Sequence, residues 1–209
     1  MTTDNNITIC VGIRNAEARF LETVMSSIDE YDLFNKGILL SIYDMGDDRF
    51  DRVIKSMVSP RYLTYVRDTK PIFSRTVSIN MAVRQATTEN VFVCDADVSL
   101  SKTFPDDFRK HVKKGTLWFP ILWSQYEGKP IEIGNKEYGW FRETGFGMMG
   151  LTKADFEIVG GYNEKIKKWG GEDQEFFYTA KKKHKLNVVR KKSKLIHHWH
   201  PKDTAWHNK

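Results

Sequence analysis

Apolar positions in the first hundred residues alternate between short continuous runs and longer stretches with an apolar stripe. Residues 7–13 form a β-rich run, after which Asn15 is placed to cap a helix with Leu21, Val24 and Ile28 on one face. The rhythm repeats with a strand over 38–43 and a helix over 47–58, whose stripe is Phe50, Val53, Ile54 and Met57. A strand over 62–66, a helix over 74–86 and a fourth strand over 91–98 follow. Strands alternating with helices of this length imply βαβ crossovers, hence an α/β fold with a mostly parallel central sheet flanked by helices. Ligands of such sheets bind at the carboxyl ends of the strands.

Beyond residue 100 the alternation loosens. The pattern predicts a short helix over 105–114, strands over 117–123 and 131–133, and a glycine-studded stretch over 139–150. A helix over 152–159 ends at Gly160-Gly161, a loop spans 163–171, and a helix over 172–184 leads to a strand over 186–190. No repeat or low-complexity linker separates the regular first half from the irregular second, so one unit over 1–209 is expected.

Composition narrows the class. With 40% hydrophobic residues and 13% aromatics in 209 positions, disordered, collagen-like and coiled-coil chains are excluded. No apolar run approaches the roughly 20 residues of a membrane-spanning helix. The first six residues are polar and lack a signal-peptide pattern, which makes a cytoplasmic location the expectation. Cys10 and Cys94 each fall in a predicted strand without a C-x-x-C partner, and read as buried thiols. The net charge of +6 is concentrated late: residues 161–209 carry 13 Lys/Arg against 5 Asp/Glu. Such a basic part steers anionic partners, whether sugar nucleotides, acidic glycans or nucleic acid; a solvated helix face at Lys181-Lys182-Lys183 explains it equally.

Three clusters carry candidate chemistry. Asp95-Ala96-Asp97 ends the fourth predicted strand, and period-2 geometry would aim both carboxylates to one side. Adjacent carboxylates leaving a buried strand repel unless a cation offsets them, and a hard divalent ion shared with a diphosphate meets that need. A solvated strand end is the plain alternative. In Trp169-Gly170-Gly171-Glu172-Asp173, a flexible stretch precedes an acidic helix start, an arrangement suited to delivering an acid or base to a cleft or simply to capping the helix. Finally, Ile196-His197-His198-Trp199-His200-Pro201 offers imidazoles that could join an aspartate on Mn²⁺ or Mg²⁺.

These clusters occur in one order with Ile9-Cys10-Val11-Gly12-Ile13-Arg14-Asn15, Phe73-Ser74-Arg75 with Asn80, and Gly150-Leu151-Thr152 through Gly160-Gly161-Tyr162. The ordered set resembles the GT-A fold glycosyltransferases, nearest to the β-1,4-galactosyltransferase and chondroitin N-acetylgalactosaminyltransferase group. The resemblance implies a GT-A domain with a nucleotide-sugar-binding half over 1–98 and an acceptor-binding, catalytic half over 99–209. It implies a metal-dependent, inverting transfer of a hexose or N-acetylhexosamine from a UDP-sugar to a hydroxyl, on a glycan or other acceptor. Asp97 matches the metal-binding aspartate, His200 the late histidine ligand and His197 a second candidate. Arg14, Phe73 and Arg75 match nucleotide and phosphate contacts, Asp44 the base-reading aspartate, and Asp95 the residue that meets ribose or sugar. Asp173 matches the catalytic base, Glu172 the acceptor-binding acid, and Trp169 the tryptophan of a loop closing over the donor.

Two departures qualify the likeness. The second arginine of the galactosyltransferase Pro-Phe-Arg-Asn-Arg string is absent, leaving the phosphate to Arg19 or a tail lysine, and so is the usual membrane anchor. A bacterial or viral stand-alone enzyme, or an excised catalytic domain, is therefore expected. Three alternatives stand beside it: sugar transfer to modified bases in DNA through the basic C-terminal part, a catalytically silent lectin-like domain, and a zinc hydrolase.

Overall fold

The structure is a computed structural model that describes residues 5–46, 48–69, 73–166 and 170–201. Strand β1 (Ile7–Ile13) lies near the middle of a seven-stranded sheet, between β2 (Ile38–Asp44) and β4 (Asn90–Val93), and is parallel to both. β3 (Leu63–Arg67) continues the parallel set beyond β2. On the other side β9 (Met149–Thr152) is antiparallel to β4 and to β6 (Thr116–Trp118), which pairs in parallel with β10 (Asn187–Val189) at the edge.

β1 is apolar at nearly every position because both its faces are covered. Ile7, Ile9, Val11 and Ile13 point to one cluster, with Phe20, Val24 and Ile28 of the first helical stretch and with Phe50 and Ile54 of α3 (Asp48–Met57). Cys10 points to the opposite cluster, with Ile79, Ala82 and Val83 of α4 (Arg75–Gln85) and Phe156 of α6 (Lys153–Val159). Gly12 also faces α4, so closely that a Cβ there would lie 2.1 Å from Ser78 Oγ. Both cysteines are buried free thiols.

The first helical stretch runs through α1 (Glu17–Phe20), a π turn (Leu21–Met25) and α2 (Ser26–Glu30). Its cap is Ala16, not Asn15; Asn15 takes a left-handed conformation (φ 52°) and its N–H donates to Glu17 Oε1. Half of the α3 stripe is not core, since Val53 and Met57 are 40% and 50% exposed; a ten-residue helix at the sheet's edge needs only Phe50 and Ile54 inside.

Four other expectations change. The fourth strand stops at Val93, opposite Cys10, although β1 itself runs on beside β2 to Ile13, and residues 96–97 form a turn. The apolar run over 117–123 is broken at Phe119-Pro120, so its second part, β7 (Ile121–Gln125), belongs to another sheet. Residues 131–133 form no strand, and Ile131 and Ile133 are exposed. The helix starting at Glu172 is α7 (Glu172–Tyr178) and continues only as a π turn (Thr179–Lys183).

β11 (Lys192–His197) is a strand that the apolar pattern does not reveal, since lysines and serine fill its first half. It organises a second sheet in the order β5 (Val98–Ser99), β11, β7, β8 (Gly139–Phe141). Thereby the chain's late histidines return to the exit of β4. α5 (Phe104–His111) fills the gap with Phe104 and Phe108, which pack on Trp118. Among the described residues no helix is long and apolar enough to cross a membrane.

Candidate functional site at the carboxyl edge of the sheet

Because β1, β2 and β4 are parallel, Arg14, Asp44 and Asp95 emerge at one edge. Arg14 is half-buried just past Ile13, the register partner of Asp44. Asp44 is fully buried; Oδ1 accepts from Gly46 N–H at 2.7 Å and Oδ2 from the Tyr65 hydroxyl. This fixes a tight turn in which a Cβ on Gly46 would lie 2.9 Å from both Asp44 Oδ1 and Glu17 Oε1. Phe73 stands before α4, half-buried against the second hydrophobic cluster.

The turn after β4 sends the two aspartates to different partners, contrary to the expectation of a shared direction. Asp95 Oδ1 accepts from Arg75 Nη2 at 2.9 Å. Arg75 Nη1 reaches Glu172 Oε1 at 3.2 Å, and Nη2 also reaches Gly147 O at 3.3 Å. Burial works against the Arg75 charge, but Asp95, Tyr162 and Glu172 more than restore it, so the guanidinium's pKa is raised. Glu172 Oε2 accepts from Gly170 N–H at 2.9 Å, so both its oxygens are engaged within the protein. Asp95 keeps 38% of its side chain exposed and has an oxygen to spare.

Asp97 faces the late histidines. Its Oδ2 lies 3.0 Å from His200 Nε2 and 3.7 Å from His197 Nε2. One ligand atom from each of the three residues falls within 4.8 Å of the others. His200 Nδ1 lies 2.9 Å from the Pro201 carbonyl, which can only accept, so that nitrogen carries a proton. The Nε2 lone pair would then oppose a carboxylate unless a second proton or a cation lies between them. Accordingly the Asp97 hydrogen bond holds the His200 pKa above its ordinary value despite burial. Burial alone would raise the Asp97 carboxyl, yet the His200 hydrogen bond and the histidine and Arg19 charges outweigh it and leave the pKa lowered. For His197, burial dominates and pushes the pKa down despite Asp97.

Asp97 Oδ1 and His197 Nδ1 are buried without a hydrogen-bond partner. An oxygen donor and two imidazoles, with an orphaned carboxylate oxygen among them, fit a divalent cation such as Mn²⁺. His198 does not join them: its Nε2 meets Ser99 Oγ at 2.6 Å and its N–H donates to Asp97 O. Thr23, from the helix after β1, steadies the same turn through Ala96 O. Signals for these roles were faint in sequence, since Ser99 and Thr23 are ordinary polar residues far from any motif.

Two clefts flank the trio. One, of about 480 Å³, has His200 in its wall with Asn15, Arg19 and Trp199. The other, of about 240 Å³, is lined by His197, Arg75, Asp95, Arg142, Glu172 and Asp173. Asp173 is half-buried; Oδ2 accepts from Phe146 N–H at 3.3 Å and Oδ1 from Gln174 N–H at 2.8 Å. Nothing in the sequence marks Arg142, which sits beside Glu143 in the glycine-studded stretch outside any of the three clusters. Trp169 and the tail from residue 202 lie outside the described residues.

The chondroitin N-acetylgalactosaminyltransferase family profile matches residues 9–207. Human chondroitin sulfate N-acetylgalactosaminyltransferase 1 is 33% identical over 147 residues, covering 62% of this chain and 27% of the relative. Mouse N-acetyl-beta-glucosaminyl-glycoprotein 4-beta-N-acetylgalactosaminyltransferase 1 is 30% identical over 178 residues, or 81% of this chain and 16% of the relative. The chain thus spans about a quarter or less of the length of these two relatives.

Among solved structures, S. aureus TarS 1-349 in complex with UDP-GlcNAc superposes with a TM-score of 0.71 at 14% identity, over 95% of this chain and 60% of that one. A mannosyltransferase from Pyrobaculum calidifontis in complex with GDP-Man and Mn²⁺ gives 0.67 at 16% identity, over 97% and 59%. These neighbours place the fold as GT-A. Nothing in the comparisons supports a nucleic-acid partner or a silent lectin-like domain. The profile, spanning nearly all of the chain, shows that it belongs to the chondroitin N-acetylgalactosaminyltransferase family.

Proposed function

We propose that this chain transfers N-acetylgalactosamine from its UDP conjugate to a hydroxyl of a glycan, with inversion at the anomeric carbon. The observation that carries this reading is the convergence of Asp97, His197 and His200 at the carboxyl edge of the sheet, beside a cleft that holds Asp173. The names of the relatives and the family membership support N-acetylgalactosamine as the donor sugar. Asp97, His197 and His200 would hold Mn²⁺ or Mg²⁺, whose chemistry when bound is to neutralise charge gathering on a diphosphate leaving group.

The chain's own residues do the rest. Arg14 and Phe73 are assigned to the nucleotide, and Asp44 acts on it through the Gly46 turn that it holds. Arg19, which shares a cleft wall with His200, is assigned to the phosphates in place of the arginine missing from the first strand's motif, and its position in that wall supports the assignment. Arg75, already engaged by Asp95 and Glu172, holds Asp95 toward the ribose or sugar. Asp173 accepts the proton of the acceptor hydroxyl as it attacks, a contribution of roughly 10²–10⁴-fold for a positioned general base. Glu172 fastens Gly170 beside Trp169, which is assigned to the loop covering the donor and excluding water.

A donor panel followed by UDP release, with Mn²⁺ and with EDTA, tests the reading. UDP-N-acetylgalactosamine should be consumed in the presence of a glycan acceptor, and chelation should stop it. Full turnover in EDTA, or indifference to every UDP-sugar, would overturn it.

A further inference from the structure

The second sheet supplies Leu122 and His197 to the wall of the cleft that contains Asp173, and its face continues past that wall. Register partners on neighbouring strands share a face. His197 on β11 is opposite Ser124 on β7, and Ser124 is opposite Trp140 on β8. His197, Ser124 and Trp140 thus form one row on one face. Two strand spacings of about 5 Å put the Trp140 backbone roughly 10 Å from that of His197. Leu122 and Arg142, each two positions along from members of the row, share the face and line the cleft that contains Asp173. Tyr126, two beyond Ser124, stacks on Trp140 with ring centroids 5.0 Å apart and planes 28° apart. The opposite face instead buries Trp123 against Phe141.

Tyr126 and Trp140 are 41% and 44% exposed. Neither ring lines the cleft itself, but on the sheet face that continues from it this stacked, half-exposed aromatic pair offers a flat apolar surface. That is the complement of a pyranose ring, which carries C–H bonds on its faces and hydroxyls at its rim. Two aromatic side chains bury about 150–250 Å² each at most. A stable protein interface needs about 800 Å² per partner, which two rings fall well short of.

We infer that Tyr126 and Trp140 form a distal saccharide subsite, holding a ring of the acceptor glycan one or two sugars away from the residue that reacts at Asp173. The inference rests on the reading of Asp173 as the acceptor side of the cleft. It makes the chain a reader of acceptor length as well as of the acceptor's terminal sugar.

The test measures binding of chondroitin oligosaccharides of two, four and six sugars, with a common non-reducing end, to the wild type, Trp140→Ala, Tyr126→Ala and Trp140→Phe. Both sites are exposed, and thermal melts establish that each variant is folded. In the wild type, affinity should rise with length. Trp140→Ala should weaken the longer ligands by about three- to tenfold, the value of one aromatic stacking contact. The ratio of long to short affinity should fall toward one, and Trp140→Phe should recover part of it. Wild-type affinity that ignores length, or length dependence surviving both alanine variants, would overturn the subsite. So would variants that alter only self-association, which would mark the face as a contact between copies.

A parallel panel of neutral and acidic glycans separates this inference from the broader reading. Length-dependent binding of another glycan class, lost in Trp140→Ala, would sustain the subsite and remove chondroitin as the acceptor. Binding of no glycan by the wild type would remove the subsite.

Discussion

Arg75 Nη1 lies 3.2 Å from Glu172 Oε1 across 97 positions of sequence. This contact joins the start of α4 to the start of α7, and through Asp95 it reaches the turn that carries Asp97. Arg75 is matched on sequence to a phosphate contact, and Glu172 to an acceptor contact. The structure also engages the two with each other, Arg75 being 14% and Glu172 5% exposed.

Glu172→Ala should therefore be felt in stability as well as activity. It leaves Arg75 buried with one carboxylate instead of two, and frees Gly170 N–H. Removing one partner of a buried pair costs about 3–5 kcal/mol, and Asp95 should keep the loss at the lower end. Glu172→Gln retains an acceptor for Gly170 and should lose less. Urea unfolding of the two variants measures the difference; equal and negligible losses would show that the pair is not structural.

The Asp97 group makes a separate claim on metal binding. A cation present at a hundred times its dissociation constant stabilises by about 2.7 kcal/mol. In a chain of this size that should raise the melting temperature by about 5–10 °C. Asp97→Ala should abolish the shift with Mn²⁺, His200→Ala should reduce it strongly, and His198→Ala, whose ring serves Ser99, should retain it. The shift should grow as pH rises through the imidazole range. His200 has a raised pKa and stays protonated to higher pH than an ordinary histidine, and it must release a proton to ligate. A shift independent of pH, or one surviving in Asp97→Ala, would place the cation elsewhere.

The parallel half of the fold was legible because each strand's apolar run and each helix's stripe report burial locally. β1 over Ile7–Ile13 and α4 from its Ser74 cap are read from neighbours in sequence. β11 was not legible, since Lys192, Ser193 and Lys194 carry no such signature; its pairing with β7 and β5 is decided by partners about 70–100 residues away. The site divides the same way. Asp97 and the histidines stand out by type and order, whereas the separation of Asp95 from Asp97 depends on where β4 leaves the sheet. Arg142 gains meaning only from the cleft it lines, and Arg190 from the loop over 143–146 that it holds.

On the proposed role of Asp173 as the base, Arg190 is expected to position it. Its Nη1 donates to Gly145 O at 2.9 Å and its Nη2 to Glu143 O, while the guanidinium carbon sits 4.3 Å from the centre of the Phe146 ring. Phe146 N–H in turn donates to Asp173 Oδ2. Arg190→Gln should loosen this loop, lowering kcat by about tenfold, the effect of misplacing a proton-accepting group by a fraction of an ångström. The KM for the donor should hold, because the Asp97 side of the site is untouched. Arg190→Lys should recover little, since a point charge cannot serve two carbonyls and a ring together. A rise in donor KM with kcat unchanged would contradict the positioning role.

Asp173→Asn isolates the chemical step. Asparagine has nearly the same volume and one acceptor oxygen for the two N–H groups that Asp173 serves; oriented toward Phe146 it gives up only the exposed bond from Gln174 N–H, so the fold and the donor site should survive. It cannot take up the acceptor's proton, and turnover should fall by about 10²–10⁴-fold. Isothermal titration with the UDP-sugar and Mn²⁺ checks that donor affinity stays near the wild-type value, and single-turnover assays measure the loss of rate. The anomeric coupling in the proton spectrum of the wild-type product reports the stereochemistry: inversion requires a base on the acceptor side. If Asp173→Asn keeps its rate, the proton goes to another group. If the coupling shows retention, the proton transfer assigned to Asp173 is not the step that sets the configuration.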